Sequence, residues 1–265
     1  MRIVCLSAEA ADICARLGAW EDVVAVTAFA SQAGLAVRPI ISGFSTADCE
    51  RVAALCPDLV ICFSDVQADI AAQLIRRGCT VLTTNQRTLA EIAGAIRLIG
   101  GAIGRTVAAE HLAAEFLSEL EELQRSAIST LNATPKPRVY FEEWPDPLIS
   151  AIGWVGELIE RCGGIDIFAA RRKPASKDRV VDLQAIIAAN PDIIIASWCG
   201  RRVDIEAIRT RPGFAEIRAV QENQIHAISS DVLLQPGPRV LDGAREFRRI
   251  FDMRRACNLR PAHPP

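Results

Sequence analysis

An excess of charge of one sign is missing from this 265-residue chain, where 30 basic residues stand against 32 acidic ones for a net charge of −2. That balance excludes a general nucleic-acid binder and a polybasic membrane surface. No run of about 18 apolar residues occurs, so no membrane-inserted helix is expected. Aromatic side chains make up only 5% of the chain, with one tyrosine and four tryptophans, so each tryptophan stands out. None of the nine cysteines falls in a CxxC pair, and most lie in apolar runs, as Cys62 does in Leu59–Phe63. Such placement predicts reduced, buried thiols rather than a disulfide framework or a zinc centre. GxSxG, P-loop, HExxH and GxGxxG motifs are all missing. The expectation is a protein with no catalytic residue, no metal site and no required cofactor.

What is present is abundant apolar material, 50% of residues, in a chain long enough to bury roughly 70–75% of its unfolded surface. The start, Met1-Arg2 followed by Ile3-Val4-Cys5-Leu6, reads as a buried strand rather than a secretion signal. That predicts a cytoplasmic protein as written, or a periplasmic one if the start is truncated or a leader was removed.

The most informative feature is an internal repeat. Residues 52–65 read VAALCPDLVICFSD and residues 186–200 read IIAANPDIIIASWCG. Each is a helix end, then Pro-Asp, then an unbroken apolar run, then a small or polar loop. Pro57 and Pro191 stop the helix and push the preceding residue out of the right-handed helical region. An apolar, β-branched run without alternation predicts a strand buried on both faces of a parallel sheet. Further strands are predicted at 3–6, 23–27, 80–84, 138–142 and 224–228. Helices are predicted at 8–17, 46–55, 69–77, 88–99, 155–162, 183–189, 205–210 and 238–251. Alternation of the two predicts mostly parallel sheets.

Between the copies, residues 106 to about 131 hold no Gly or Pro and place Leu112, Phe116, Leu120 and Leu123 at helical spacing. Thr106 is the expected N-cap. Such a helix would be a rod of roughly 35–40 Å, able to join two lobes, with only small opening and closing expected. Gly100-Gly101-Ala102-Ile103-Gly104 reads as a break before it. The fold class is therefore α/β, two Rossmann-like lobes with mostly parallel sheets joined by one long α-helix. The divisions are an N-terminal lobe at 1–104, a connecting helix at 105–134, a C-terminal lobe at 135–258 and a Pro-rich tail at 259–265.

This organisation resembles the helical-backbone substrate-binding proteins of ABC importers. The resemblance covers the chain from Arg2 to about Phe251. FSDVQADIA (63–71), NQRTLAEI (85–92), YFEEWPDPLISAIGWVGELIERCGG (140–164), PDIIIASWCG (191–200) and QPGPRVLDG (235–243) look like the leaderless cobalamin-binding branch, similar to the periplasmic vitamin B12-binding protein. The first loop departs from the family pattern, with Ala8 in place of Pro and Ala11-Asp12 in place of Thr-Glu. Phe29-Ala30-Ser31-Gln32 replaces an aromatic-acidic-Pro loop.

The resemblance implies non-enzymatic binding of cobalamin or a related corrinoid in the crevice between lobes. The expected partners are that small molecule and an ABC permease dimer, with the protein itself a monomer; intracellular corrinoid handling is the other setting. A ferric-siderophore or haem binder is the main alternative, and a cytosolic corrinoid-modifying enzyme or chaperone is an alternative of another class. In such folds ligand sits beyond the carboxyl ends of the strands. The candidate contacts are Ser7, Phe29, Phe44, Phe63, Ser64, Asp65, Gln67, Asn85, Gln86 and Arg87, then Glu143, Trp144, Trp154, Trp198, Cys199, Leu233 and Gln235. Tryptophans would wall a flat macrocycle. Amides suit its peripheral amides, and Arg87 would suit a carboxylate or phosphate; for the anionic chelate of the siderophore alternative, Arg87 and Arg201-Arg202 are the arginines on offer. Cys199 or His226 could ligate a metal from below. Tyr140, the one tyrosine, is expected to be buried. Family members dock through one acid per lobe, here Asp69 in the first and Asp204 or Glu206 in the second.

Overall fold

The computed structural model describes residues 1–32, 34–130 and 135–258. Two compact units emerge. The first is Met1–Leu117 together with Gln235–Arg239, and the second is Ser118–Leu234 together with the chain from Val240 onward.

The first unit contains β1 (Ile3–Cys5), α1 (Ala8–Arg16), β2 (Val23–Thr27), β3 (Ile40–Ser42), α2 (Cys49–Ala54), β4 (Leu59–Phe63), α3 (Ala68–Arg76), β5 (Val81–Thr84) and α4 (Leu89–Ala102). Its sheet is parallel throughout, in the order β3-β2-β1-β4-β5. Every residue of β1 and β4 is buried, as unbroken apolar runs require. The strand order reverses between β1 and β4, the switch point where open α/β sheets take ligands.

A single helix, α5 (Thr106–Thr130), starts in the first unit and ends in the second. Thr106 is its first helical residue rather than its cap. The expected helix end at 131 and the tail at 259–265 lie outside the described residues. The second unit holds β6 (Arg138–Glu142), β7 (Trp144–Pro145), β8 (Leu148–Ile149), α6 (Gly153–Arg161), β9 (Ile165–Asp166), α7 (Leu183–Ala189) and β10 (Ile193–Ala196). It continues through α8 (Ile205–Arg209), α9 (Arg218–Gln221), β11 (Ile225–Ala227), α10 (Ser230–Leu233) and α11 (Val240–Asn258). Its sheet is also parallel, in the order β11-β10-β6-β9, with β7 and β8 forming a separate antiparallel hairpin. The fold is the expected α/β class. Strands β3, β7, β8 and β9 were not legible in the sequence: β7, β8 and β9 span two residues each, and β3 offers only the apolar pair Ile40-Ile41, whereas the equally short β1 lies in the longer apolar run Ile3–Leu6.

The Pro-Asp repeat has a physical purpose in both units. Asp58 accepts the backbone N–H of Arg2 at 2.7 Å, and Asp192 accepts that of Arg138 at 2.9 Å. Each aspartate thus pins the start of the neighbouring strand, setting β4 against β1 and β10 against β6. The two arginines reach back in the same way, Arg2 to the Leu55 carbonyl and Arg138 to that of Ala189. The residues before the prolines, Cys56 and Asn190, are both left-handed, with φ of 46° and 43°.

The break before the connector falls within Gly100–Gly104, as the sequence reading has it, but at the segment's far end and not at Gly100. Gly100 lies inside α4, and Gly104, with φ of +70°, makes the turn. A Cβ at Gly100 would stand 2.1 Å from the Cβ of Ala109 on α5, so the glycine is what lets these helices meet. Gly100→Ala is expected to cost about 1–2 kcal/mol by overpacking, measured as a lower denaturation midpoint.

The eight described cysteines are free thiols. Five are buried and Cys79 is half-buried, while Cys56 and Cys199 are exposed. Among the described residues, no helix is long and apolar enough to cross a membrane.

Candidate functional site

In the first unit the carboxyl ends of the strands are bound together by one side chain. Gln67 is buried, donates from Nε2 to the carbonyls of Leu6 (2.9 Å) and Phe44 (2.8 Å), and accepts the N–H of Phe63 at 2.9 Å through Oε1. It therefore positions the loops after β1, β3 and β4 rather than facing a ligand. Ser64, just past β4, is held at φ 59°, ψ 179°, a region that only glycine enters freely. Its N–H donates to Thr84 at 2.7 Å and its carbonyl accepts from Gln67, which together hold the strained turn.

Phe29 and Phe44 follow β2 and β3 and are 39% and 40% exposed. Asn85 is exposed beyond β5. Arg87 lies over the Phe63 ring, 5.3 Å from its centroid, and pairs with Asp65 at 2.8 Å. An exposed pair of this kind is weak, so Arg87 can exchange Asp65 for another anion at little cost.

The segment Gln235–Arg239 arrives on this same edge from the far end of the sequence. Gln86 donates to the Pro236 carbonyl at 2.8 Å, and Gln235 donates to that of Phe29 at 3.3 Å. Gly237 packs on Glu9, where an added Cβ would come within 2.7 Å of the Glu9 Cβ. Glu9 went unnoticed in the sequence, which offers one acid in a helix's first turn. It is only 4% exposed, with Oε1 unpartnered. Burial pushes its carboxyl up to about 7; its own backbone N–H and the Ser7 hydroxyl oppose this only in part.

Several expected contacts are turned inward here. Ser7, Phe63, Ser64 and Gln86 are buried. The sequence places them correctly at strand ends, but their side chains build the loops.

The second unit shows the same division. Trp154 is 2% exposed and donates to the Leu233 carbonyl at 2.8 Å, so it and the buried Leu233 are packing residues. Trp198, expected on the ligand face, is 4% exposed and belongs to the hydrophobic core. Its Nε1 donates to Glu142 at 3.0 Å. Glu142 is fully buried and also receives Tyr140 Oη at 3.3 Å and both terminal nitrogens of Arg211, one of them at 2.8 Å. Burial and the Glu142 charge hold the Tyr140 phenol well above its usual pKa, so it is neither accessible nor ionised. Glu143 is gripped by Arg179 in a two-pronged pair of 2.5 and 3.0 Å, and Arg179 is itself buried. The adjacent glutamates thus serve two separate arginines.

Trp144 is different. It is half-buried in the β7–β8 hairpin, its Nε1 tied to the Asp146 carbonyl at 2.9 Å. With Pro147, Ile149, Ser176, Lys177 and Val180 it lines a cavity of about 410 Å³. The Arg201 guanidinium lies over both Trp144 and Trp198, at 5.4 and 5.8 Å from the ring centroids. Cys199 is exposed, but desolvation of its sulfur and the nearby Glu143 carboxylate raise its pKa and disfavour a thiolate. His226 on β11 is half-buried beside Gln224 at 3.2 Å, and desolvation and Arg249 favour its neutral form. Among the described residues no cluster of three His, Cys, Asp or Glu side chains is placed to hold a metal ion. On the helices, Asp69 is exposed, Asp204 caps α8 through Ala207 N–H at 3.0 Å, and Glu206 pairs with Arg209 at 3.2 Å.

Parallel sheets whose carboxyl-end loops carry exposed aromatic and polar side chains define a class of small-molecule binders. The chain belongs to the periplasmic binding protein family, whose pattern matches residues 3–232. Members of that family are solute-binding proteins. An uncharacterized ABC transporter substrate-binding lipoprotein of Bacillus subtilis, YvrC, is 28% identical over 255 residues, covering 93% of this chain and 78% of that one. A vitamin B12-binding protein of Vibrio cholerae serotype O1 is 26% identical over 250 residues, covering 92% and 87%. The apo periplasmic heme-binding protein RhuT of Roseiflexus sp. RS-1 shares the fold with a TM-score of 0.81 at 24% identity, covering 94% and 97%.

Proposed function

We propose that this chain binds cobalamin or a related corrinoid, without catalysis, and hands it to an ABC-type permease. The carrying observation is where aromatic surface is left uncovered. In a chain with few aromatics, Phe29, Phe44 and Trp144 are among the least covered, and all three follow strands β2, β3 and β6 at their carboxyl ends. Apolar faces on rigid loops suit a broad, flat ligand, and Asn85 offers an amide for its periphery. The sequence similarity to the Vibrio cholerae vitamin B12-binding protein supports the same reading. A haem reading would need a histidine ligand, because the single tyrosine is buried and bonded to Glu142. Asp69, exposed on α3, and Glu206, whose pair with Arg209 is an exposed and weak one, are the acids offered to the permease, since Asp204 is engaged in capping α8.

Calorimetric titration with cyano- and hydroxocobalamin tests the reading. Micromolar or tighter affinity is expected, weakened about tenfold in Trp144→Ala, a loss of about 1.4 kcal/mol. Absence of binding to either form would sink the corrinoid reading and turn attention to ferric haem and siderophores. Trp198→Ala is the wrong test, because it removes a donor from the buried Glu142.

A further inference from the structure

The turn Trp198-Cys199-Gly200-Arg201 closes through a hydrogen bond from the Arg201 N–H to the Trp198 carbonyl at 3.2 Å, with Gly200 at φ 65°. Only glycine takes that third position freely, so the turn folds Arg201 back over Trp198. Both indoles beneath the guanidinium are anchored, Trp198 by the buried Glu142 and Trp144 by the Asp146 carbonyl. Arg201 is exposed, and among the described residues no carboxylate or other acceptor engages its side chain. Glu143, the glutamate closest in sequence to Trp144, is already matched by Arg179. The arrangement is a cation lying over two anchored rings, with its N–H donors uncommitted among the described residues. Contact of this kind orients a guanidinium without using up its donors. The same Trp144 borders the 410 Å³ cavity, whose rim carries a second cation, Lys177.

The geometry points to Arg201 as a specificity-determining residue that takes an oxyanion, phosphodiester or carboxylate, at the edge of the bound planar ligand. This rests on the ligand reading above and adds to it the charge of the ligand. Corrinoids carry the phosphodiester in their nucleotide loop, whereas haem carries two carboxylates.

Calorimetry with two probe pairs distinguishes the sources. Cyanocobalamin and dicyanocobinamide share the corrin but differ in the phosphodiester-linked nucleotide; ferric haem and its dimethyl ester differ in free carboxylates. The expected result is a preference of about 10- to 100-fold for the anionic member of whichever pair binds. Arg201→Gln is expected to bring the two members to near-equal affinity, and Arg201→Lys to keep part of the difference. Equal affinity of the unaltered protein for both members, or a preference that survives Arg201→Gln, would overturn the assignment. Equal, tight binding of both corrinoids would do so while leaving the corrinoid reading intact. If none of the four binds, titration with inorganic phosphate decides, read from tryptophan emission. A saturable change lost in Arg201→Gln supports the anion site, and no change removes it.

Discussion

Replacing Arg211 with methionine is expected to destabilise the second unit by about 3–5 kcal/mol, the range for removing one partner of a buried ion pair. Glu142 is fully buried, and among the described residues Arg211 is the one cation paired with it, in a two-pronged contact. Without Arg211 the carboxylate would keep only Trp198 and Tyr140 as donors. It would then sit charged in an apolar core or take up a proton. Burial works against the Arg211 charge, while the hydrogen bonds and charge of Glu142, with a smaller contribution from Tyr140, hold its pKa above the usual value. Denaturant unfolding followed by tryptophan emission checks this. A loss below about 1 kcal/mol would show that the pair contributes no more than a surface bridge. The double variant Arg211→Met, Glu142→Gln is expected to recover part of the loss, since no charge is then left buried.

The second large effect concerns pH. Glu9 has its folded-state pKa raised to about 7 from an ordinary 4.5, with burial the main cause. A carboxyl raised in this way binds more protons folded than unfolded between those values. Its contribution to stability is fully present below pH 4.5 and is lost as pH rises through about 7. A shift of this size corresponds to about 3 kcal/mol. Glu9→Gln, which imitates the protonated form, is expected to match the unaltered protein near pH 4 and to exceed its stability by up to about 3 kcal/mol near pH 8. Chemical denaturation at a series of pH values measures the difference. Curves for the two proteins that stay parallel from pH 4 to 8 would rule out the raised pKa.

Much of the architecture was legible in the sequence. Strands β4 and β10 announce themselves because a strand covered on both faces must be apolar at every position, and the Pro-Asp before each marks where the preceding helix stops. Long helices α4 and α5 were legible for the same reason, a sustained period over several turns. The short strands β3 and β9 and the β7–β8 hairpin were not, because they offer at most two consecutive apolar residues, whereas the equally short β1 lies in the run Ile3–Leu6. For the candidate site, the sequence placed its residues at strand ends but not the directions of their side chains. Phe29 and Phe44 are exposed and Trp144 is half-buried, whereas Trp154, Trp198, Gln86 and Ser7 turn into their units. A buried carbonyl such as that of Leu233 or Pro236 must find a donor, and the nearest Trp154 or Gln86 supplies it.

By itself, the sequence determined the parallel α/β class, the duplicated unit and the long joining helix, because these follow from local periods and from proline geometry. Only the tertiary structure decided that Gln235–Arg239 packs on the first unit, that Glu9 lies buried beneath Gly237, and that Arg201 rests on two tryptophans. Each of these joins residues distant in sequence, or turns on which face of a loop is covered, and burial of that kind is a property of the assembled chain rather than of any stretch of it.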